Sequence, residues 1–182
     1  MFELYIGIAA HSEEPNVTLT LKSRRFLEEL WSTCGSVVRL VIGGYWGLMK
    51  YVVDKALELG FTVIILPPLE LEHVEFPEKA IVIKTGVSFR SRSVFLTRTS
   101  DVLVVLGGGA GCIQELVTAY TEKKPVYILV DTGCSTDLVK SWPTYLDNRM
   151  LAPILKYNDP VELAREVCKF RRAGSIKKGF EY

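Results

Sequence analysis

Two kinds of residue in this chain could do chemistry together: glycine-rich turns that offer bare backbone, and an arginine and a glutamate placed beside them. Val102–Leu106 is an unbroken apolar run followed by Gly107-Gly108-Gly109-Ala110-Gly111 and then Cys112-Ile113-Gln114-Glu115. That pattern predicts a buried strand, a glycine turn, and a helix opening at Cys112. Glycines let backbone N–H groups come close to a ligand. The helix that follows turns its positive end toward the same spot, so a phosphate or another anion is the expected guest. Glu115 is expected in the first turn of that helix, facing the same place. A second turn, Gly43-Gly44-Tyr45-Trp46-Gly47, follows the apolar run Val37–Ile42. Arg92 opens the helix expected after strand four, and strands four and five are expected to be neighbours, so that Arg92 and Glu115 face each other over the ligand.

Other groups carry weaker signals. Arg90 and Arg98 lie near Arg92, and Arg98 is a candidate second phosphate ligand on a different helical face. Cys112 stands at a helix N-terminus, where a thiol pKa is lowered, but neither His11 nor His73 is placed in sequence to pair with it. His11 lies just past the first strand at the proposed edge, where it could touch a ligand but a surface position is expected. The glutamates at 70, 72, 75 and 78 read as a solvated face. Neither turn fits GxGxxG or GxxxxGK[ST], so neither a dinucleotide enzyme nor a P-loop NTPase is indicated.

These turns need a scaffold. Apolar runs at Leu4–Ala10, Val37–Ile42, Phe61–Leu66, Ile81–Lys84, Val102–Leu106, Val126–Val130 and Ile154–Tyr157 alternate with helical patterns at Thr20–Trp31, after Gly47, at about Phe89–Ser100, after Gly111 and from Asp159. A further helix is expected around Thr136–Leu146, broken at Pro143. The order predicts a three-layer α/β Rossmann-like domain over residues 1–170, with a central parallel sheet of about six or seven strands covered on both faces. A basic tail, 171–182, follows. Strand-to-helix turns then share the carboxyl edge, where ligands bind close to the point at which strand order reverses.

The bulk numbers narrow the function. The chain has 182 residues, 48% of them hydrophobic, and a net charge of +1. No strong field for nucleic acid or membrane is implied, and the apolar runs fall well short of the ~18 residues that span a bilayer. The four cysteines, Cys34, Cys112, Cys134 and Cys168, form no CxxC pair. They are expected to be free thiols in a cytoplasmic protein, with no metal site and no bound cofactor.

Gly43-Gly44-Tyr45-Trp46-Gly47-Leu48-Met49, Arg92, and Gly108-Gly109-Ala110-Gly111-Cys112-Ile113-Gln114-Glu115 resemble the signatures of the lonely-guy superfamily, a GG-x-x-GLM turn and a PGGxGTxxE turn with an upstream arginine. The likeness runs from about Leu4 to Val130. It is nearest a bacterial and archaeal branch whose turn reads GGGxGTxxE. The superfamily, once widely labelled lysine decarboxylases, includes nucleoside 5′-monophosphate phosphoribohydrolases and molybdenum-cofactor carrier proteins. By that resemblance Arg92 and Glu115 are the catalytic pair, at the family's separation. Gly108, Gly109, Gly111 and Cys112 hold the phosphate, and Gly43, Gly44 and Gly47 line the pocket. A homo-oligomer, dimer or tetramer, is implied as well. Nothing suggests a pyridoxal phosphate site, so the decarboxylase label is unsupported. The chain departs from the pattern with Cys112 for threonine, Ser93 for lysine and Leu106 for proline. Two functions stay open: hydrolysis of the N-glycosidic bond, and a carrier or sensor that binds such a ligand without turnover.

Overall fold

The computed structural model describes residues 3–174, with side chains through 170. Seven strands, β1 (Leu4–Ala10), β2 (Val38–Ile42), β3 (Thr62–Ile65), β4 (Ile81–Val82), β5 (Val102–Gly107), β6 (Val126–Leu129) and β7 (Ile154–Tyr157), form one sheet. Its order is β4-β3-β2-β1-β5-β6-β7. Every pairing is parallel. The helices are α1 (Val17–Cys34), α2 (Gly47–Leu59), α3 (Phe89–Thr99), α4 (Ala110–Thr121) and α5 (Pro160–Gly174). The three-layer Rossmann-like arrangement is therefore as expected. None of the described helices is long and apolar enough to cross a membrane.

Local chemistry explains the helix ends. Asn16 caps α1 by accepting the Leu19 N–H at 2.8 Å, which starts the helix at Val17 rather than Thr20. Gly60, at φ +98°, ends α2 in the left-handed conformation. Each helix then buries one stripe. Leu19, Phe26, Val52 and Leu163 of α1, α2 and α5 pack on one sheet face. Leu96, Leu116 and Tyr120 of α3 and α4 pack on the other, where Trp142 and Tyr145 join them.

Four expectations are corrected. Strands β4 and β5 are not neighbours: β3, β2 and β1 stand between them. The chain leaves β4 at one edge and α3 carries it back across the sheet face to β5. In place of a helix over Thr136–Leu146 there is a 3-10 segment at Ser135–Ser141. Helix α4 opens at Ala110, ahead of Cys112, so Glu115 lies in its second turn. Finally, Cys34 and Cys168 are not free thiols; they form a disulfide with Cα atoms 6.0 Å apart. No sequence motif marks that pair. Packing of α5 along α1 brings the two together. Of the basic tail 171–182, the backbone of 171–174 continues α5, and the remainder lies outside the described residues.

Candidate active site

Strand order reverses between β1 and β5: the chain winds outward from β1 through β2 to β4, then restarts at β5 on the other side. At that point the loops after β1, β2, β5 and β6 enclose a cleft of about 1010 Å³. Three turns tie its walls together. The His11 N–H donates to Gly107 O at 3.0 Å, the Leu48 N–H to Glu13 O at 3.0 Å, and the Thr136 N–H to Gly108 O at 3.0 Å. Thr136 Oγ1 in turn accepts the Gly108 N–H at 3.1 Å. The His11–Asn16 loop thus fastens onto both glycine turns, and the segment after β6 fixes the turn after β5.

The α4 turn is bare where it faces the cleft. Cys112 and Ile113 direct their N–H groups to Gly109 O. The N–H groups of Ala110 and Gly111 have no acceptor among the described residues, while that of Gly109 lies against the Cys112 sulfur; first-turn donors stay unpaired unless something outside the helix supplies an acceptor. A Cβ built on Gly109 or Gly111 would meet nothing within 4 Å. Packing therefore does not demand glycine at either position; room at the helix mouth is what their side chains would take away.

Arg92 and Glu115 meet on the floor of this cleft. α3 and α4 lie side by side on one sheet face, so they bring the pair together even though strands β4 and β5 are far apart. Helical side chains lean toward the helix N-terminus, so Glu115 reaches back under the glycine turn. Arg92 Nη1 donates to Glu115 Oε1 at 2.8 Å. Ser93 Oγ donates to the same oxygen at 2.9 Å. Both charged side chains are 8% exposed. Burial pushes the Glu115 carboxyl above its ordinary range, opposed by the Arg92 charge and the Ser93 hydrogen bond. Since Oε1 takes both bonds, Oε2 is left without a partner among the described residues. Arg92 Nη2 is likewise unpartnered, and Arg92 Nε is sealed from solvent without an acceptor.

The other residues singled out from the sequence divide into those that line the cleft and those that do not. A Cβ on Gly43 would sit 2.0 Å from Arg92 Nη1, so the guanidinium lies directly against that backbone. Gly44 and Gly47 stand behind the cleft wall and do not line it. Gly44 is covered by the Trp46 ring, while Gly47, at φ +53°, presses on the Ser12 backbone. Trp46 itself lines the cleft. Cys112 is buried, and desolvation, not the helix terminus, governs its thiol; its pKa is pushed up, opposite to the direction expected from position alone. Arg90 lines the cleft, but Arg98 does not: its side chain is 69% exposed and lies 3.5 Å from Glu122. Thr136 and the Ser12–Asn16 part of the loop after β1 were not legible as site residues, whereas His11 was placed at this edge and Ser93 was noted only as a departure from the family pattern. Its hydrogen bond to Glu115 had no signal in the sequence beyond its place next to Arg92, where the family pattern has a lysine.

The model of the SLOG cluster4 family matches residues 6–153. The chain belongs to that family. This SLOG cluster4 chain is also similar to TM1055, solved by X-ray crystallography, at 27% identity and a TM-score of 0.76 over 92% of this chain and 99% of that one. The molybdenum cofactor binding protein of the phototrophic bacterium Rippkaea orientalis matches at 21% identity and a TM-score of 0.71, over 97% and 99% of the two chains. The molybdenum cofactor carrier protein of Chlamydomonas reinhardtii matches at 23% identity and 0.72, over 95% and 99%. At such identities these two show a shared fold. A ribose-5-phosphate isomerase of Dictyostelium discoideum is 29% identical over 109 residues, 54% of this chain; the match spans 45% of that protein's length. Family and neighbours agree with the Rossmann-like superfamily that the two glycine turns resemble.

Proposed function

We propose that the cleft binds a nucleoside 5′-monophosphate and hydrolyses its N-glycosidic bond, releasing free base and ribose 5-phosphate. The observation that carries this reading is Glu115: a buried carboxylate held by Arg92 and Ser93 through one oxygen, with the other oxygen free, beside a helix mouth of unpaired N–H groups. The phosphate rests on Gly109–Gly111, where donors and helix dipole act together. As the bond breaks, its electron pair leaves with the base and positive charge develops at C1′ of the ribose. Glu115 Oε2 stabilises that charge and orients the water that attacks C1′; the water's proton passes to the carboxylate and the departing base is protonated from solvent. Arg92 orients the carboxylate through Nη1 and offers Nη2 to a ribose hydroxyl. The likeness to a protein named for ribose 5-phosphate supports a ribosyl phosphate as the group recognised.

A carrier reading is favoured by a separate observation. Cys112 replaces a hydroxyl at the anion cradle with a buried thiol, in a fold shared with proteins named for binding and carrying the molybdenum cofactor. In that reading the same cradle holds a phosphorylated cargo and Glu115 does no chemistry. Chromatographic assay of free base after incubation with AMP, GMP, CMP and UMP separates the two. Release by the wild type, reduced about 10²–10⁴-fold in Glu115→Gln, is expected. Saturable binding without release places the carrier first. A homo-oligomer belongs to the same proposal. Sedimentation analysis is expected to give at least a dimer, and a monomer at working concentration removes that part of it.

A further inference from the structure

His11 is a group the reaction above does not use. It directly follows β1 at the switch point and lines the cleft together with Gly108–Gly111. Its backbone N–H is bonded to Gly107 O at 3.0 Å. Its Cβ is so close to the glycine turn that a Cβ added to Gly108 would lie 2.9 Å away. The His11 side chain therefore starts beside the anion cradle.

A second bond fixes the ring's protonation pattern. The Glu13 N–H donates to His11 Nδ1 at 3.1 Å. A nitrogen that accepts a hydrogen bond carries no proton, so in the neutral imidazole the N–H is on Nε2. The loop thus selects one tautomer and presents a donor at the outer end of the ring. A neutral imidazole in this state is a hydrogen-bond donor and not a proton source, because giving up its N–H would leave an imidazolate.

We infer that His11 is a further binding residue, donating through Nε2–H to a phosphate oxygen of the ligand that the Gly109–Gly111 amides hold from the other side. This rests on the reading of the cleft as a phosphomonoester site. It adds a side-chain donor to a cradle otherwise made of backbone, and it gives the His11–Asn16 loop a ligand-sensing contact in addition to its structural ones.

Two amide substitutions separate the roles of the two ring nitrogens. Asparagine places its Oδ1 near the position of Nδ1 and keeps the bond to Glu13, but has nothing at Nε2. Glutamine places its Nε2 amide near the position of imidazole Nε2 and restores the donor while giving up the loop bond. Calorimetric titration of the wild type, His11→Asn and His11→Gln with AMP and with adenosine reads the difference, alongside thermal melts. The expected result is that His11→Asn keeps the wild-type melting temperature and binds AMP about tenfold or more weakly. His11→Gln melts lower and binds AMP within about threefold of the wild type, a residual difference of ~0.7 kcal/mol. Adenosine binding is the same in all three. Wild-type AMP affinity in His11→Asn, equal losses in both variants, or an equal loss for adenosine overturns the role of His11 alone. A wild type that binds no AMP overturns the nucleotide reading of the cleft, and this inference with it.

Discussion

Glu115 holds a buried charge that two neighbours make tolerable. An isolated carboxylate at this depth would neutralise itself, yet the Arg92 guanidinium and the Ser93 hydroxyl both bond to Oε1. Burial remains the largest influence, so the carboxyl ionises at a higher pH than a solvated glutamate. The sign for activity follows. A step that needs the carboxylate is at full rate above that raised pKa and is lost as pH falls through it. The acid limb of the pH–rate profile for base release is therefore expected above the ordinary glutamate value of about 4.3. A limb at or below that value means that Glu115 is better solvated than its surroundings imply. At this scale much of the candidate cleft was legible in the sequence. The glycine turn, Arg92 and Glu115 could be identified from residue type and order. Arg98 was misplaced, because on a short helix a six-residue offset turns the side chain away toward Glu122. Cys112 was read from its position at the helix end, while its burial, a property of the packed molecule, decides its behaviour.

At the scale of elements, the site depends on how α4 begins. Starting at Ala110 leaves the backbone of Gly109, Ala110 and Gly111 at the cleft, and the lack of a side chain on Gly109 and Gly111 leaves space for an anion. Gly111→Ala separates folding from binding. The new methyl meets no protein atom within 4 Å, and alanine favours the helix over glycine by up to about 1 kcal/mol. The variant is expected to melt at or slightly above the wild-type temperature and to bind AMP about tenfold more weakly, ~1.4 kcal/mol. Unchanged affinity in a normally folded variant means that the ligand does not approach this turn. The element boundaries were less legible than the elements. Asn16 started α1 earlier than the apolar periodicity suggested, since its cap bond, not a buried side chain, sets the first turn. The segment after β6 was read as helical, but its short 3-10 segment serves to bring Thr136 onto Gly108.

The whole molecule places Arg92 and Glu115 together in a way that strand adjacency does not explain. Their strands lie on opposite sides of β1, and the helices, by crossing the same sheet face, close the distance. Local sequence patterns hold alternation and polarity but little about strand order, so the meeting of the two residues was legible while the route to it was not. The Cys34–Cys168 disulfide is the same kind of fact. It joins α1 to α5 across a separation of 134 residues, and only the packed layer reveals it. Closing so long a loop restricts the unfolded chain, and removing the link is expected to cost about 2–4 kcal/mol. Cys34→Ser, or the reduced wild type, should melt several degrees lower with ligand affinity unchanged, because the cleft lies at the other end of the strands from this link. Equal melting temperatures in oxidised and reduced protein show that the bond contributes nothing.

The proposed reaction needs a phosphate seated at the mouth of α4, and amide NMR detects one at the donors themselves. Uniformly 15N-labelled protein is titrated with AMP and, separately, with adenosine. The expected result is saturable downfield shifts of the Gly109, Ala110 and Gly111 amide protons with AMP, with those of Cys112 and Ile113 moving less because they already donate to Gly109 O; adenosine leaves all of them in place. Saturable AMP binding with those signals unmoved, or equal shifts from adenosine, would contradict it.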